Sequence, residues 1–218
     1  MIKHIRQIMN TLRCDKLILI IVIFYVVINL SSCSETDIKD NVEIIKMYQK
    51  DISIRELDAK TDTVNLEAYD KVHRERVFEL LAENKVQTPL DKMRAALILQ
   101  HTAAKICDGE VASMSPENFL LAYKLSSASL KQLLEKNDTA TVRKENIRRM
   151  VALNYDRYLL YTLGYQKFGT QFVFDNQTNE MLLAPIDTSL CSDGQRIQHQ
   201  VEPLHILLKK YKMKPLAK

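Results

Sequence analysis

The stretch DRYLLYTLGYQKFGTQF, residues 156–172, places two adjacent charged side chains at the head of an apolar and aromatic run. A buried charge without a partner costs several kcal/mol, so Asp156 and Arg157 each need an opposite charge or several hydrogen bonds. Sequence neighbours on a helix do not face each other, so these partners must come from elsewhere in the chain. The polar residues that we nominate as partners are Gln100, His101, Gln166, Gln171, Asp193 and Arg196.

His101 is the member of this set best suited to proton transfer, because imidazole titrates near neutral pH. It follows the apolar run AALILQ, where a histidine is also commonly hydrogen-bonded inside a core without any chemical role. Thr170 and Gln171 leave a similar choice open, since they either orient a ligand or satisfy the backbone groups of a turn. Gly169 stands where a helix is expected to become a strand, a position that often requires a positive φ.

Familiar catalytic and cofactor motifs are missing from the sequence. It contains no GxGxxG or Walker loop, no GxSxG elbow, no HExxH, no CxxC and no EF-hand spacing. Glu75, Glu79 and Glu83 recur every four residues, but beside Arg74 and Arg76 they indicate a solvated helix face. We therefore predict no cofactor and no metal ion, zinc included.

Helical patterns dominate the chain after residue 40, and only four Gly and five Pro interrupt the whole sequence. Helices are expected at residues 41–57, 64–84, 89–106, 115–136 and 141–165, with loops at ENKVQT and CDGEVASM. The period then changes to two in GTQFVFDNQTNEMLLAPID, which predicts a β-hairpin. Ser192 and Pro203 begin the last helical stretches. The expected fold is mainly α, a single helical domain of about five to six helices with one small β-hairpin near the C-terminal end.

The N-terminus has the pattern of a secretory signal. Lys3, Arg6, Arg13 and Lys16 accompany an apolar run at residues 17–30, which is shorter than the roughly 20 residues of a membrane-spanning helix. An uncleaved membrane anchor is the alternative interpretation.

The sequence LSSC at residues 30–33 follows this run and resembles the lipobox of bacterial lipoproteins. The resemblance implies that Cys33 is lipidated and becomes the first residue of a membrane-attached protein of the cell envelope, on the periplasmic or surface side. Stable attachment would rest on several acyl chains. The expected organisation is a signal peptide at 1–32, a lipidated tether at 33–40 and a helical domain at 41–218.

The mature chain is almost neutral. Residues 1–32 remove four of the 31 basic and one of the 27 acidic residues, which leaves 27 against 26. Binding to nucleic acid would need a basic stripe for phosphate contacts, so no nucleic-acid partner is expected.

Two cysteines remain beyond the lipobox, Cys107 and Cys191. In an oxidising compartment they either pair as a disulfide or stay as free thiols. Sequence does not supply the Cα separation of less than about 7 Å that pairing needs.

Four blocks of the chain resemble an uncharacterised bacterial family built on a domain of unknown function. They are AALILQH at 95–101, AYKLSSAS at 122–129, DRYLLYTLGYQKFGTQF at 156–172 and SDGQRIQHQVEPL at 192–204. The resemblance carries no activity, but it implies that the following residues belong together: Gln100, His101, Asp156, Arg157, Gln166, Gly169, Thr170, Gln171, Asp193 and Arg196. The chain departs from the family pattern at Thr102, Phe168 and Glu202, and Phe168 removes a tyrosine hydroxyl.

Three hypotheses for function follow. The first is an envelope lipoprotein whose helical domain binds a small molecule, a glycan or an envelope protein through those residues. The second is a hydrolase-like enzyme in which His101 is the acid or base, Asp156 orients it, and Arg157 or Arg196 holds an anionic group. The third is a structural module in which the same polar network fixes the hairpin onto the helices.

Overall fold

The computed structural model describes residues 38–61, 65–102, 104–107, 110–113 and 115–215, without the side chains of residues 59–61 and 104–113. The chain divides into two units, residues 1–38 and 39–218. The predicted signal peptide, Cys33 and most of the predicted tether lie outside the described residues.

Helices make up most of the second unit, and two short strand pairs interrupt them. In chain order the elements are α1 Val42–Thr61, α2 Leu66–Ala82, α3 Pro89–Gln100, β1 Ala104–Cys107, β2 Glu110–Ser113, α4 Pro116–Glu135, α5 Thr139–Lys144, α6 Ile147–Leu163, β3 Phe172–Asp175, β4 Glu180–Leu183, a 3-10 turn Thr188–Leu190, α7 Asp193–Gln198 and α8 Leu204–Lys210.

The prediction of a mainly helical domain with a small hairpin near its C-terminal end is confirmed. The described residues contain eight α-helices rather than five or six. Asn146 adopts a left-handed conformation with φ of 51° and divides the expected helix at 141–165 into α5 and α6. Both of the predicted C-terminal stretches also form short helices.

Two predictions for residues 101–114 are wrong. Helix α3 ends at Gln100 instead of residue 106, and His101 follows it with φ of −85° and ψ of 52°. The expected loop CDGEVASM contains β2, which pairs antiparallel with β1 from Ala104↔Ser113 to Cys107↔Glu110. No glycine or proline marks the end of α3 in the sequence, so a prediction from helical periodicity alone made this helix too long.

Side-chain caps explain where several helices begin. Thr88 accepts a hydrogen bond from the Asp91 backbone at 3.0 Å, and Asp91 accepts one from the Thr88 backbone at 3.4 Å. Pro89 and Pro116 occupy the start of α3 and α4, where a missing N–H has no consequence. Ser192 caps α7 in the same reciprocal way as Thr88 caps α3.

Helix α6 connects the helical part of the domain to its C-terminal part. It packs along α4, whose Ala122 belongs to a core formed with α1, α2 and α3. Its Ala152 belongs to a second core, with Phe168, Leu183 and Leu207. Asp156 and Arg157 lie in the middle of α6, so each of them can reach a different part of the domain.

The C-terminal hairpin pairs Phe172 with Leu183 and Phe174 with Met181. Leu183 also bridges in parallel to Met213, so the segment after α8 runs beside β4. In the part of the chain that the structure describes, no helix is both long enough and apolar enough to cross a bilayer.

Candidate functional site

The carboxylate of Asp156 accepts five hydrogen bonds from the loop that follows α6. Its Oδ1 accepts from the backbone N–H groups of Lys167 and Phe168, both at 2.8 Å. Its Oδ2 accepts from the N–H groups of Gly169 and Thr170 at 3.0 Å and from the Thr170 hydroxyl at 2.9 Å. The loop thus wraps around one fully buried side chain.

Gly164 and Gly169 allow this wrapping. Gly164 ends α6 with φ of +77°, and Gly169 has φ of +96°. A Cβ on Gly169 would lie 2.7 Å from Leu207 Cδ1 and 3.1 Å from Ile186 Cδ1. The expected glycine requirement is therefore structural, arising from both backbone conformation and close packing.

Gln166 and Arg196 hold the loop from its other sides. The Gln166 amide donates to the carbonyl oxygens of Gln171 and Ala184 at 2.9 and 2.8 Å, and its Oε1 accepts from the Gln171 N–H at 2.8 Å. The fully buried Arg196 donates to the carbonyl oxygen of Phe168 at 3.1 Å and to the Asp193 carboxylate at 3.3 Å. These contacts join the loop to the segment directly after β4 and to α7.

Among the described contacts, no hydrogen bond joins Asp156 to His101. Burial raises the pKa of Asp156, and hydrogen bonds from Phe168, Thr170 and Lys167 oppose that effect. Because both oxygens bind the loop, Asp156 does not orient His101 as the enzyme hypothesis expected. Asp156, Gln166, Gly169, Thr170, Asp193 and Arg196 instead form a scaffold that fixes the loop between α6 and β3.

Arg157 points to the helical part of the domain. It donates to the carbonyl oxygen of Gln100 at 2.7 Å and to Gln171 Oε1 at 3.2 Å, and it lies over the Phe119 ring at 5.8 Å. The prediction that its partners come from α3 and from the Gly-Thr-Gln segment is confirmed. Within the described residues no carboxylate pairs with it, and burial lowers the pKa of Arg157.

His101 faces two helices that the sequence reasoning did not include in the site. Its Nδ1 lies 3.2 Å from the carboxylate of Asp51 on α1. Arg55 donates to Asp51 at 3.2 Å and to Asp70 on α2 at 2.5 Å. We call Asp51, Arg55, Asp70 and His101 the Asp51 cluster.

The two carboxyl groups of this cluster differ in their titration. Burial disfavours ionised Asp51, but hydrogen bonds and charge from His101 and Arg55 outweigh it, so the pKa of Asp51 lies below its ordinary value. Burial dominates at Asp70 and raises its pKa despite Arg55. Burial and the nearby Asp51 charge raise the pKa of Tyr69 to about 12, and its hydroxyl has no hydrogen-bond partner among the described residues.

The Asp51 cluster also contains the donor types of a divalent-cation site. One ligand atom from each of Asp51, Asp70 and His101 lies within 4.8 Å of the others. Arg55 already places its guanidinium against both carboxylates. The positive charge in this cluster is therefore supplied by the chain itself.

A cleft of about 610 Å³ lies beside this cluster, between α2 and the start of α4. Its α2 wall presents residues spaced by three or four positions, which share one helix face. The opposite wall comes from Thr102 and from Ser115 and Asn118. We call it the Arg74 cleft; its described lining is Asn65, Glu67, Ala68, Lys71, Arg74, Glu75, Phe78, Thr102, Ser115 and Asn118.

Arg74 connects the cleft to the Asp51 cluster. Its Nη1 donates to the carbonyl oxygen of His101 at 2.7 Å. Asn118 donates to Thr102 Oγ1 at 3.1 Å, and that hydroxyl donates to Leu99 O at 2.9 Å. Both walls are therefore tied to the end of α3.

A sequence signal for the missed residues does exist. Asp51 follows Ile44 and Met47 at helical spacing, and Asp70 precedes Val77 by seven residues, so both acids fall on buried helix faces. A charge on a buried stripe requires a partner, just as it does at Asp156.

Cys191 is a buried free thiol, and burial raises its pKa. The side chain of Cys107 lies outside the described residues. The hypothesis of a Cys107–Cys191 disulfide therefore finds no support at Cys191.

No protein-family model, no curated protein and no solved structure matches this chain. The resemblance to the uncharacterised bacterial family and the lipobox assignment accordingly stay predictions.

Proposed function

We propose that this chain is a cell-envelope lipoprotein whose helical domain binds a polar, uncharged small molecule of the glycan class in the Arg74 cleft. The anchor would be lipid on Cys33, and the support for it is the LSSC sequence after a short apolar run. The observation that carries the binding proposal is the cleft itself, whose volume of about 610 Å³ suits a small ligand.

The chemistry of the cleft favours a ligand rich in hydroxyl and amide groups. Lys71 and Arg74 are balanced by Glu67 and Glu75, so the described part of the lining carries no net charge that would select an ion. Asparagine and threonine side chains add neutral donors and acceptors. Phe78 is 40% exposed and supplies an apolar ring against which a sugar face can pack.

The cleft also has the rigid support that a binding site needs. Arg74 is held by the His101 carbonyl oxygen, and Asn118 is held by Thr102. Polar groups fixed in this way lose little side-chain entropy when a ligand arrives.

The test is a calorimetric and thermal-shift screen of residues 39–218 with neutral oligosaccharides, N-acetylglucosamine oligomers among them. At a concentration about 100-fold above Kd, a true ligand raises Tm by about 5 °C or more. Arg74→Ala and Asn118→Ala should each weaken binding, whereas Lys131→Ala, an exposed change on α4, should leave it unchanged. The absence of any shift across the panel, or wild-type affinity in Arg74→Ala, would refute the proposal.

A second candidate function is hydrolysis at His101, whose backbone carbonyl oxygen accepts the hydrogen bond from Arg74 of the cleft wall. The observation that favours it is the pairing of His101 with the buried Asp51, because a carboxylate on Nδ1 fixes the tautomer that leaves Nε2 able to accept a proton. Asp51 thereby replaces Asp156 as the orienting acid. Hydrolysis of a compound from the same panel by the wild type, lost in both His101→Gln and Asp51→Asn, would establish this activity. Hydrolysis that persists in His101→Gln would exclude it.

A further inference from the structure

The C-terminal hairpin exposes an apolar face that no other element covers in the described part of the chain. Phe174 is 54% exposed and Met181 57%, and these two residues lie opposite each other in the strand register. Phe172 shares this face because it lies two residues from Phe174. Its ring contacts the Tyr211 ring edge-on, with 4.8 Å between the ring centroids. We call Phe172, Phe174, Met181 and Tyr211 the hairpin face.

Lysines border this face on one side. Lys209, Lys210, Lys212 and Lys214 are all exposed, and hydrogen bonds between Leu183 and residues 212 and 214 hold the C-terminal segment beside β4. A shallow cavity of about 300 Å³ lies where the two features meet, and its lining includes Met181, Tyr211, Lys210 and Lys212.

We propose that the hairpin face is a membrane-contact surface that inserts its aromatic and methionine side chains among the headgroups of an anionic bilayer. Large apolar side chains beside lysines are the combination that binds at a lipid interface, where rings enter the acyl boundary and ammonium groups meet lipid phosphates. The biological setting rests on the proposed membrane attachment, but the surface itself does not depend on lipidated Cys33.

The charges of this region are compatible with lipid phosphates. Lys212 pairs with Glu180 at 2.7 Å and Lys210 with Glu202 at 2.5 Å. Hydrogen bonds from Thr178 and Gln177 lower the pKa of Asp175, and the charge of Lys214 adds to this effect. Among the described residues of this region, these four lysines against Asp175, Glu180 and Glu202 leave one positive charge in excess. Exposed ion pairs contribute little stability, so a lysine can exchange its carboxylate for a phosphate oxygen at small cost.

The same lysines argue against a second copy of the chain as the occupant. A two-fold contact whose axis crosses the lysine border would bring these lysines close to their own symmetry mates. Like charges across an interface oppose association, whereas an anionic bilayer attracts them.

The experiment uses residues 39–218, because this unit contains both cores described above and a third core of described residues, formed by Met93, Leu133, Val142 and Ile147. Its partition into vesicles of phosphatidylcholine alone is compared with partition into phosphatidylcholine mixed with phosphatidylglycerol, by co-sedimentation. We expect stronger binding to the mixed vesicles and a decrease of about tenfold or more in the double variant Phe174→Ser/Met181→Ser. Lys209→Glu/Lys214→Glu should lose only the preference for phosphatidylglycerol.

Val72→Ser is the matched control, since Val72 is a 62% exposed apolar residue on α2, and it should bind vesicles like the wild type. Equal binding by Phe174→Ser/Met181→Ser and wild type would overturn the proposal, as would no vesicle binding by the wild type. A dimer detected by light scattering and abolished by the same double variant would assign the face to a second copy instead. Vesicle binding by this unit is independent of acylation, so failure of the lipoprotein assignment and failure of this surface are observed separately.

Discussion

His101 Nδ1 lies 3.2 Å from the carboxylate of Asp51, a residue fifty positions earlier in the chain. The contact brings the end of α3 against the middle of α1 and places the imidazole beside a buried acid. Arg55 then links Asp51 to Asp70, so three helices share one set of charges.

The two acids of this cluster should titrate on opposite sides of the ordinary aspartate pKa, about 3.9. We expect Asp51 to titrate below that value, because His101 and Arg55 stabilise its anion, and Asp70 to titrate above it, because burial dominates. Carboxyl-detected NMR of residues 39–218 measures both midpoints. In His101→Gln the midpoint of Asp51 should rise; a midpoint that stays in place would contradict the assigned partner.

The sign of the stability effect follows from these directions. The folded pKa of Asp51 is depressed, so its anion stabilises the fold above about pH 4, and this stabilisation is lost as the pH falls through the folded pKa. Asp51→Asn should therefore lower the free energy of unfolding at neutral pH, and the difference from wild type should shrink in acid. Urea unfolding of both proteins across this pH range measures the difference in their free energies of unfolding. A difference that does not change with pH would be inconsistent with ionic stabilisation by Asp51.

Asp156 should be among the most sensitive positions for stability. Asp156→Ala leaves the N–H groups of residues 167–170 without their acceptor, and buried orphan donors cost about 1 to 3 kcal/mol each. We expect a loss of about 3 kcal/mol or more in the free energy of unfolding. Glu56→Ala, a change at an exposed residue, is the comparison and should alter the free energy of unfolding by less than about 0.5 kcal/mol. A small effect at Asp156 would mean that the loop finds other acceptors.

How far the sequence predicts this structure depends on the range of each interaction. The starts of α3 and α4 and the end of α6 were predictable, because Pro89, Pro116 and Gly164 act locally on the backbone. The need of Asp156 for distant partners was predictable from the cost of burial. That these partners are backbone N–H groups was not, because main-chain donors are the same for every residue type.

The pairing of His101 with Asp51 was missed for a different reason. From the sequence, an acidic residue on a buried helix face can be predicted to need a partner. The sequence does not show which basic residue of the chain that partner is. The motif blocks made Asp156 the expected partner of His101. The contact that the structure shows, with Asp51, depends instead on how α1 packs against α3. Packing of this kind is set by the whole core and is not encoded in any short stretch.

The anchor prediction concerns a residue outside the described part of the chain. If Cys33 is lipidated, the membrane-associated native protein carries acyl chains on that residue, and Cys33→Ser is released or misprocessed. Mass spectrometry of the N-terminal peptide measures this directly. An unmodified Cys33 in the membrane-associated protein would end the lipoprotein proposal.

Gly164 and Gly169 form a matched pair that separates backbone strain from steric overlap. Both have positive φ, +77° and +96°, so alanine is strained at either position. A Cβ at Gly164 would have no heavy atom within 4 Å, whereas at Gly169 it would lie 2.7 Å from Leu207 Cδ1 in the second core.

We therefore expect Gly164→Ala to lower the free energy of unfolding by about 1 kcal/mol and Gly169→Ala by about 3 kcal/mol, since only the latter adds overpacking. Urea denaturation of both variants provides the measurement. Adding Leu207→Ala should remove the 2.7 Å contact and leave only the 3.1 Å approach to Ile186, so Gly169→Ala should be less damaging in that background than in the wild type. Equal effects of the two glycine changes would show that close packing at Gly169 contributes nothing, and that the loop around Asp156 is held by backbone conformation and hydrogen bonds alone.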